Sequence, residues 1–122
     1  MEGKTILIAE DISSNYQFIN ILLRNEGCNV LHAMNGYEAV EMTQSQPVDL
    51  ILMDLKMPVM DGQTAIKEIR KFKPDLPIIV LTASPLPSDQ ETAFLVGCND
   101  YMIKPINSKY LVRTIAKYFK RN

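Results

Sequence analysis

The chain is poor in the residues that most often announce chemistry. Its 122 residues include one histidine, His32, and two cysteines, Cys28 and Cys98, 70 positions apart. Neither thiol has a neighbour at metal-ligand spacing, so both read as buried or half-buried side chains of a reducing compartment, with no chemistry assigned. The five glycines contain no GxGxxG or GxxxxGK spacing, which excludes the phosphate turns of dinucleotide-binding and P-loop proteins. No apolar run approaches the ~18 residues of a membrane span. The N-terminal "MEGKTILIAED" lacks the long apolar segment of a signal peptide, so a cytoplasmic location is expected. The formal net charge is only -1, which leaves no overall field to draw the chain onto nucleic acid or a membrane. Repeats, linkers and low-complexity stretches are absent, and residues 1–122 read as one domain.

What is present is apolar and periodic. With 47% hydrophobic and 22% charged residues, the composition is that of a globular domain. Five short blocks rich in Ile, Val and Leu alternate with longer segments of helical period, the pattern of a parallel sheet with crossover helices. The blocks are "TILIA" (5–9), "NVLHA" (29–33), "DLILM" (49–53), "PIIVL" (77–81) and "DYMI" (100–103). Helices are expected near 14–26, 36–45, 62–72, 88–97 and 107–120, with Gly27, Gly36, Gly62 and Gly97 at boundaries. The third block shows no alternation of polar and apolar residues, so it is expected to be a central strand buried on both faces.

The residues that follow the strands are of one kind. Glu10 and Asp11 come after the first block, Asp54 after the third, Thr82 after the fourth and Lys104 after the fifth. In an open doubly wound sheet the binding crevice lies outside the carboxyl ends of the strands, where the strand order reverses. If strands 1 and 3 are neighbours there, Glu10, Asp11 and Asp54 converge. Two carboxylates about 5 Å apart repel by roughly 3 kcal/mol at an effective dielectric of about 20, so three call for a cation. Oxygen ligands alone suit Mg2+ or Mn2+; zinc would want His or Cys, and His32 belongs to another strand end. An acidic residue at a strand end can also simply cap a helix, and Asp11 before "ISSN" is open to that reading.

Together, Glu10-Asp11, Asp54, Thr82-Ala83, Lys104-Pro105 and the "MPVMDG" turn resemble the receiver domain of bacterial two-component response regulators over nearly the whole chain. The resemblance, rather than the strand pattern, implies a doubly wound (βα)5 flavodoxin-like sandwich with parallel order 2-1-3-4-5. It further implies that Asp54 is the phosphoacceptor for a phosphoryl group from a histidine kinase or histidine phosphotransfer protein. Glu10, Asp11, Asp54 and the backbone carbonyl of Lys56 would hold Mg2+. Lys104 and Thr82 would contact phosphoryl oxygens, Ala83 would leave the donor room, and Thr82 and Tyr101 would act as the conformational switch. Pro105 corresponds to a cis-proline. Such a domain phosphorylates itself, with possible dephosphorylation, and is not a kinase; a homodimer is a further possible assembly. An aspartate is more frequent than glutamate at position 10, and the extra methylene suggests a water-mediated metal contact. Pro85 and Pro87 stiffen the loop that the switch is expected to move. Lys56 and Ser84 occupy positions thought to tune the lifetime of the acyl phosphate.

Two other classes compete. Haloacid-dehalogenase-like phosphatases also use a strand-end aspartate and Mg2+, but they want a second aspartate two residues on, where this chain has Lys56. A flavodoxin-like nucleotide or flavin binder needs a phosphate cradle after the first strand, and Glu10-Asp11 would repel that phosphate.

The segment "NYQFINILL" carries more apolar side chains than one buried stripe requires. In the resembled family this helix packs against the donor-histidine bundle, and Phe18 and Leu22 are the expected outer row if Ile19 and Leu23 face the sheet. Lys109, Arg113 and Lys117, at i, i+4 spacing, read as a solvated face. "MDLKMPVMDG" resembles receivers fused to hybrid histidine kinases, which favours a segment of a larger protein over a stand-alone receiver.

Overall fold

A computed structural model describes residues 1–120. The chain alternates strand and helix throughout: β1 (Thr5–Ala9), α1 (Ser13–Asn25), β2 (Asn29–Ala33), α2 (Gly36–Ser45), β3 (Leu50–Met53), α3 (Gly62–Arg70), β4 (Ile78–Thr82), α4 (Pro87–Val96), β5 (Asp100–Ile103) and α5 (Ser108–Lys117). The five strands form one sheet in the order β2-β1-β3-β4-β5, and every pairing is parallel. Sequence order therefore reverses between β1 and β3, with Ile6 opposite Leu50 and Ala9 opposite Met53.

Two apolar layers sandwich the sheet. On one face Leu7, Ile51, Met53, Ile78 and Val80 pack against Ala39, Ala65, Ile66, Ile69 and Ala93 of α2, α3 and α4. On the other, Ile6, Ile8, Leu50, Leu52, Ile79 and Leu81 pack against Ile19 and Leu23 of α1 and Leu111 and Ile115 of α5. Both faces being covered, "LILM" is apolar at every position and wholly buried. Each such side chain contributes roughly 1.5 to 3 kcal/mol.

The expected boundaries hold to within one to three residues, and local chemistry accounts for the differences. α4 starts one residue early, with Pro87 in its first turn, and stops at Gly97, whose φ of 120° is open only to glycine at little cost. α5 starts behind Asn107, whose side chain accepts the Tyr110 N–H. α3 ends at Arg70 because the chain tightens there, Lys71 N–H donating to Glu68 O, ahead of Pro74. Thr82 is the last residue of β4 rather than the residue after it, since its carbonyl accepts the Lys104 N–H at 2.8 Å. The Lys104–Pro105 peptide bond is cis, as the resemblance implies. None of the described helices is long and apolar enough to cross a membrane.

Candidate functional site

The ladder between strands continues one residue beyond each of the two central strands, and this places the acids. Glu10 N–H donates to Ala33 O and Asp54 N–H to Ala9 O, both at 3.0 Å, so each residue is held as rigidly as the strand before it. Behind Asp54 the "MPVMDG" segment closes tightly: Gly62 N–H donates to Leu55 O, and a Cβ on Gly62 would lie 2.1 Å from the Asp54 carbonyl. Only glycine allows α3 to start that close to the end of β3.

Glu10, Asp11 and Asp54 each offer a carboxylate oxygen within 4.8 Å of the others. Glu10 is 2% and Asp54 6% exposed. Lys104 reaches across from the end of β5, its Nζ 2.6 Å from Glu10 Oε1 and 3.3 Å from Asp54 Oδ2. Asp54 Oδ1 accepts the Lys56 N–H at 3.3 Å. Burial, then the charge of Glu10, pushes the Asp54 carboxyl up to about 6, against the pull of Lys104. Burial alone would lower the Lys104 ammonium, but the hydrogen bond to Glu10 and the charge of Asp54 outweigh it and raise it. Lys104 lies nearer Glu10, so Asp54 receives only part of its compensation.

Asp11 is not a helix cap. α1 starts behind Ile12 and has no side-chain cap, while Asp11 Oδ1 is buried and has no hydrogen-bond partner among the described residues. A buried carboxylate oxygen without a donor costs free energy unless something binds it. The donor set around it is all oxygen, which fits a hard divalent cation such as Mg2+ or Mn2+.

The remaining expected residues form a second group beside the acids. Thr82 is wholly buried and its Oγ1 accepts the Ser84 N–H at 3.2 Å. Tyr101 is half-buried and donates its hydroxyl to the Ser84 carbonyl at 3.2 Å. Ser84 Oγ donates to Asp89 Oδ2 at 2.5 Å. Ser84 thus connects Thr82, Tyr101 and the first turn of α4, a role that its polar, unremarkable sequence context gave no means of reading.

On α1, Ile19 and Leu23 do face the sheet. Phe18 is 50% exposed, beside a hollow of about 230 Å3 that it shares with Asn15, Lys104, Pro105 and Ile106. Leu22 departs from the expected outer row: it is half-buried and packs toward α5, near Val112 and Arg113. Four residues exceed one turn of 3.6, so the row rotates toward α5. Ile21, 59% exposed, takes the outward place instead.

His32, set aside as belonging to another strand end, lies close to the site. β2 is the neighbour of β1, and His32 Nε2 is 2.8 Å from the Glu10 carbonyl. The resemblance already implied that β2 lies beside β1; the register that sets Ala33 opposite Ala9 came only with the structure.

A doubly wound sheet with three acids and a lysine at its switch point is the framework of a phosphate-handling or cation-binding module. Residues 6–116 match the model of the response regulator receiver domain. The chain belongs to that family, the receivers of two-component signal transduction. It is 34% identical over 118 residues to the sensor histidine kinase GacS of Pseudomonas protegens, covering 93% of this chain but 13% of that protein. The chain thus spans about an eighth of that relative. Among solved structures, the receiver domain of the sensor histidine kinase PA1611 from Pseudomonas aeruginosa, which has a magnesium ion coordinated in its active-site cleft, is 38% identical with a TM-score of 0.89, covering 95% of this chain and 97% of that one. The co-crystal structure of the Saccharomyces cerevisiae phosphotransfer protein Ypd1 with the receiver domain of Ssk1 matches at 34% identity and a TM-score of 0.88, covering 96% of this chain and 89% of that one. Family membership removes the phosphatase and flavodoxin-like alternatives.

Proposed function

We propose that Asp54 is the phosphoacceptor of a two-component phosphorelay and that Glu10, Asp11, Asp54 and the Lys56 carbonyl hold the Mg2+ this transfer uses. The observation that carries the reading is the unpartnered, buried Asp11 oxygen beside two other buried acids, one of which is pushed toward protonation. When bound, the cation neutralises charge on the phosphoryl oxygens.

The chain's own residues do the rest. An ionised Asp54 oxygen attacks phosphorus as the bond from phosphorus to the donor imidazole breaks, and the imidazole nitrogen leaves with the electron pair. The Asp54 N–H bond to Ala9 O, continuing the ladder of β3, keeps that oxygen at the mouth of the cleft, so little entropy is lost in aligning it. Lys104, already between Glu10 and Asp54, is placed to pair with a phosphoryl oxygen. Thr82 supplies a hydroxyl donor at the same edge, and its movement would be transmitted through Ser84 to Tyr101 and α4.

The donor is a histidine kinase or histidine phosphotransfer protein, and Phe18 at the rim of the cleft is its contact, with Leu22 contributing less than Ile21. Self-association is a second assembly reading, favoured by exposed Leu86, Phe94 and Leu95 around α4 with Ile103 and Tyr110 nearby. Sedimentation with and without phosphodonor tests it: an unchanged monomer in both ends it.

Intact-mass measurement with acetyl phosphate and Mg2+ tests the central reading. One phosphoryl group labile to acid and base is expected, lost in Asp54→Asn and in excess chelator; labelling that persists in either overturns the assignment. Phe18→Ser should keep acetyl phosphate labelling and slow transfer from a phosphotransfer protein that labels the wild type. Equal transfer rates exclude Phe18 from docking.

A further inference from the structure

Both backbone groups of Glu10 are held by β2. Its N–H donates to Ala33 O at 3.0 Å, and its carbonyl lies 2.8 Å from His32 Nε2. A carbonyl only accepts, so the bond places a proton on Nε2. One face of the same imidazole belongs to α1: the Tyr16 ring stacks on it with centroids 3.6 Å apart and planes 7° from parallel. Tyr16 sits in the first turn of α1, where its N–H donates to Ile12 O at 3.1 Å.

One ring therefore grips the chain on both sides of Asp11. Before it stands Glu10, tied at its carbonyl; after it stands the start of α1, tied through Tyr16. The Ile12 N–H closes the turn from within by donating to Glu10 Oε2 at 3.2 Å. Within this bracket Asp11 Oδ1 is buried without a donor. Left free, such a carboxylate would gain by turning toward water.

We infer that His32 and Tyr16 are positioning residues for cation binding, a bracket from β2 to α1 that holds the Glu10-Asp11 turn with the Asp11 carboxylate presented to the cleft. Neither touches the cation or the phosphoryl group. The inference rests on the reading that the acidic cluster binds Mg2+.

Mg2+ titration of the wild-type chain, followed by the NMR amide shifts of Asp11 and Asp54, separates this role from simple packing. His32→Ala is expected to weaken Mg2+ about tenfold, the scale on which partners of metal ligands act. His32→Gln, whose amide N–H can donate to the Glu10 carbonyl, should recover most of that loss. Tyr16→Phe keeps the stack and should bind as the wild type does; Tyr16→Ala should fall between. In wild type the His32 Nε2–H resonance should be slow to exchange with water. His32→Ala that folds and binds Mg2+ within about twofold of wild type overturns the bracket while leaving the acidic site intact. A wild type without saturable Mg2+ shifts overturns both readings. If His32→Ala does not fold, the comparison of His32→Gln and Tyr16→Ala with Tyr16→Phe decides, and equal affinities for all three overturn the inference.

Discussion

The two edges of the sheet both gather charge, yet only one of them satisfies it. At the amino-terminal edge, the Arg70 guanidinium donates to the carbonyls of Gly97, Lys73 and Leu76 and to Asn99 Oδ1, at 2.7 to 2.9 Å. The same Asn99 oxygen accepts the Ile78 N–H. Asp100 is matched by the Tyr118 hydroxyl and by Lys117. At the carboxyl-terminal edge three acids converge on a lysine that pairs with two of them, one oxygen has no partner among the described residues, and Asp54 is pushed up to about 6. The first edge binds the helix ends to the strands. The second holds charge that the fold alone does not settle, as a site reserved for a cation and a phosphoryl group should.

Substitutions at the two edges should therefore change stability with opposite signs. The largest effect is expected at Arg70, where Arg70→Ala leaves three carbonyls, in the loops before β4 and β5, without their donor and should cost about 3 kcal/mol. Urea unfolding with an unchanged m-value measures this, and Mg2+ should not alter the loss. A cost below about 1 kcal/mol would remove the contrast between the edges.

Asp54→Asn should stabilise the protein in chelator, and the gain should depend on pH. A carboxyl raised from 3.8 to about 6 binds more protons folded than unfolded. Wild-type stability from this group is present below pH 4 and is lost as pH rises through 6. The advantage of Asp54→Asn is thus near zero at pH 4 and grows to as much as about 2 to 3 kcal/mol above pH 6. Unfolding midpoints of both proteins across that range check it; an advantage that is flat with pH contradicts the crowded cluster.

Mg2+ sharpens the comparison further. At about ten times its dissociation constant it should add roughly 1.4 kcal/mol to wild type and little to Asp11→Asn, seen as a shift in thermal midpoint. The smallest effect is expected at Tyr118→Phe. It removes one hydrogen bond to an aspartate that keeps Lys117, a loss of about 1 kcal/mol that is the same with and without Mg2+.

Local pattern carried much of this protein. Short runs such as "TILIA" and "LILM" must be strands between two covering layers, because apolar side chains on both faces have nowhere else to go. Gly97 marks a helix end through bonds and a φ angle reaching only a few residues away. The acids and Lys104 were visible as strand-end residues, and likeness to a family supplied the order that makes them neighbours. Tertiary structure decided the rest, since it depends on distances between segments far apart in the chain. That the Asp11 carboxylate is left unpartnered among the described residues, and is not a cap, depends on where α1 starts. That Leu22 is half-buried depends on α5 lying beside it. Ser84 and His32 gained roles only when β4, β5 and α4, or β2, β1 and α1, were brought together. Periodicity reports which face of a segment is buried; it holds no information on what another segment will place against it.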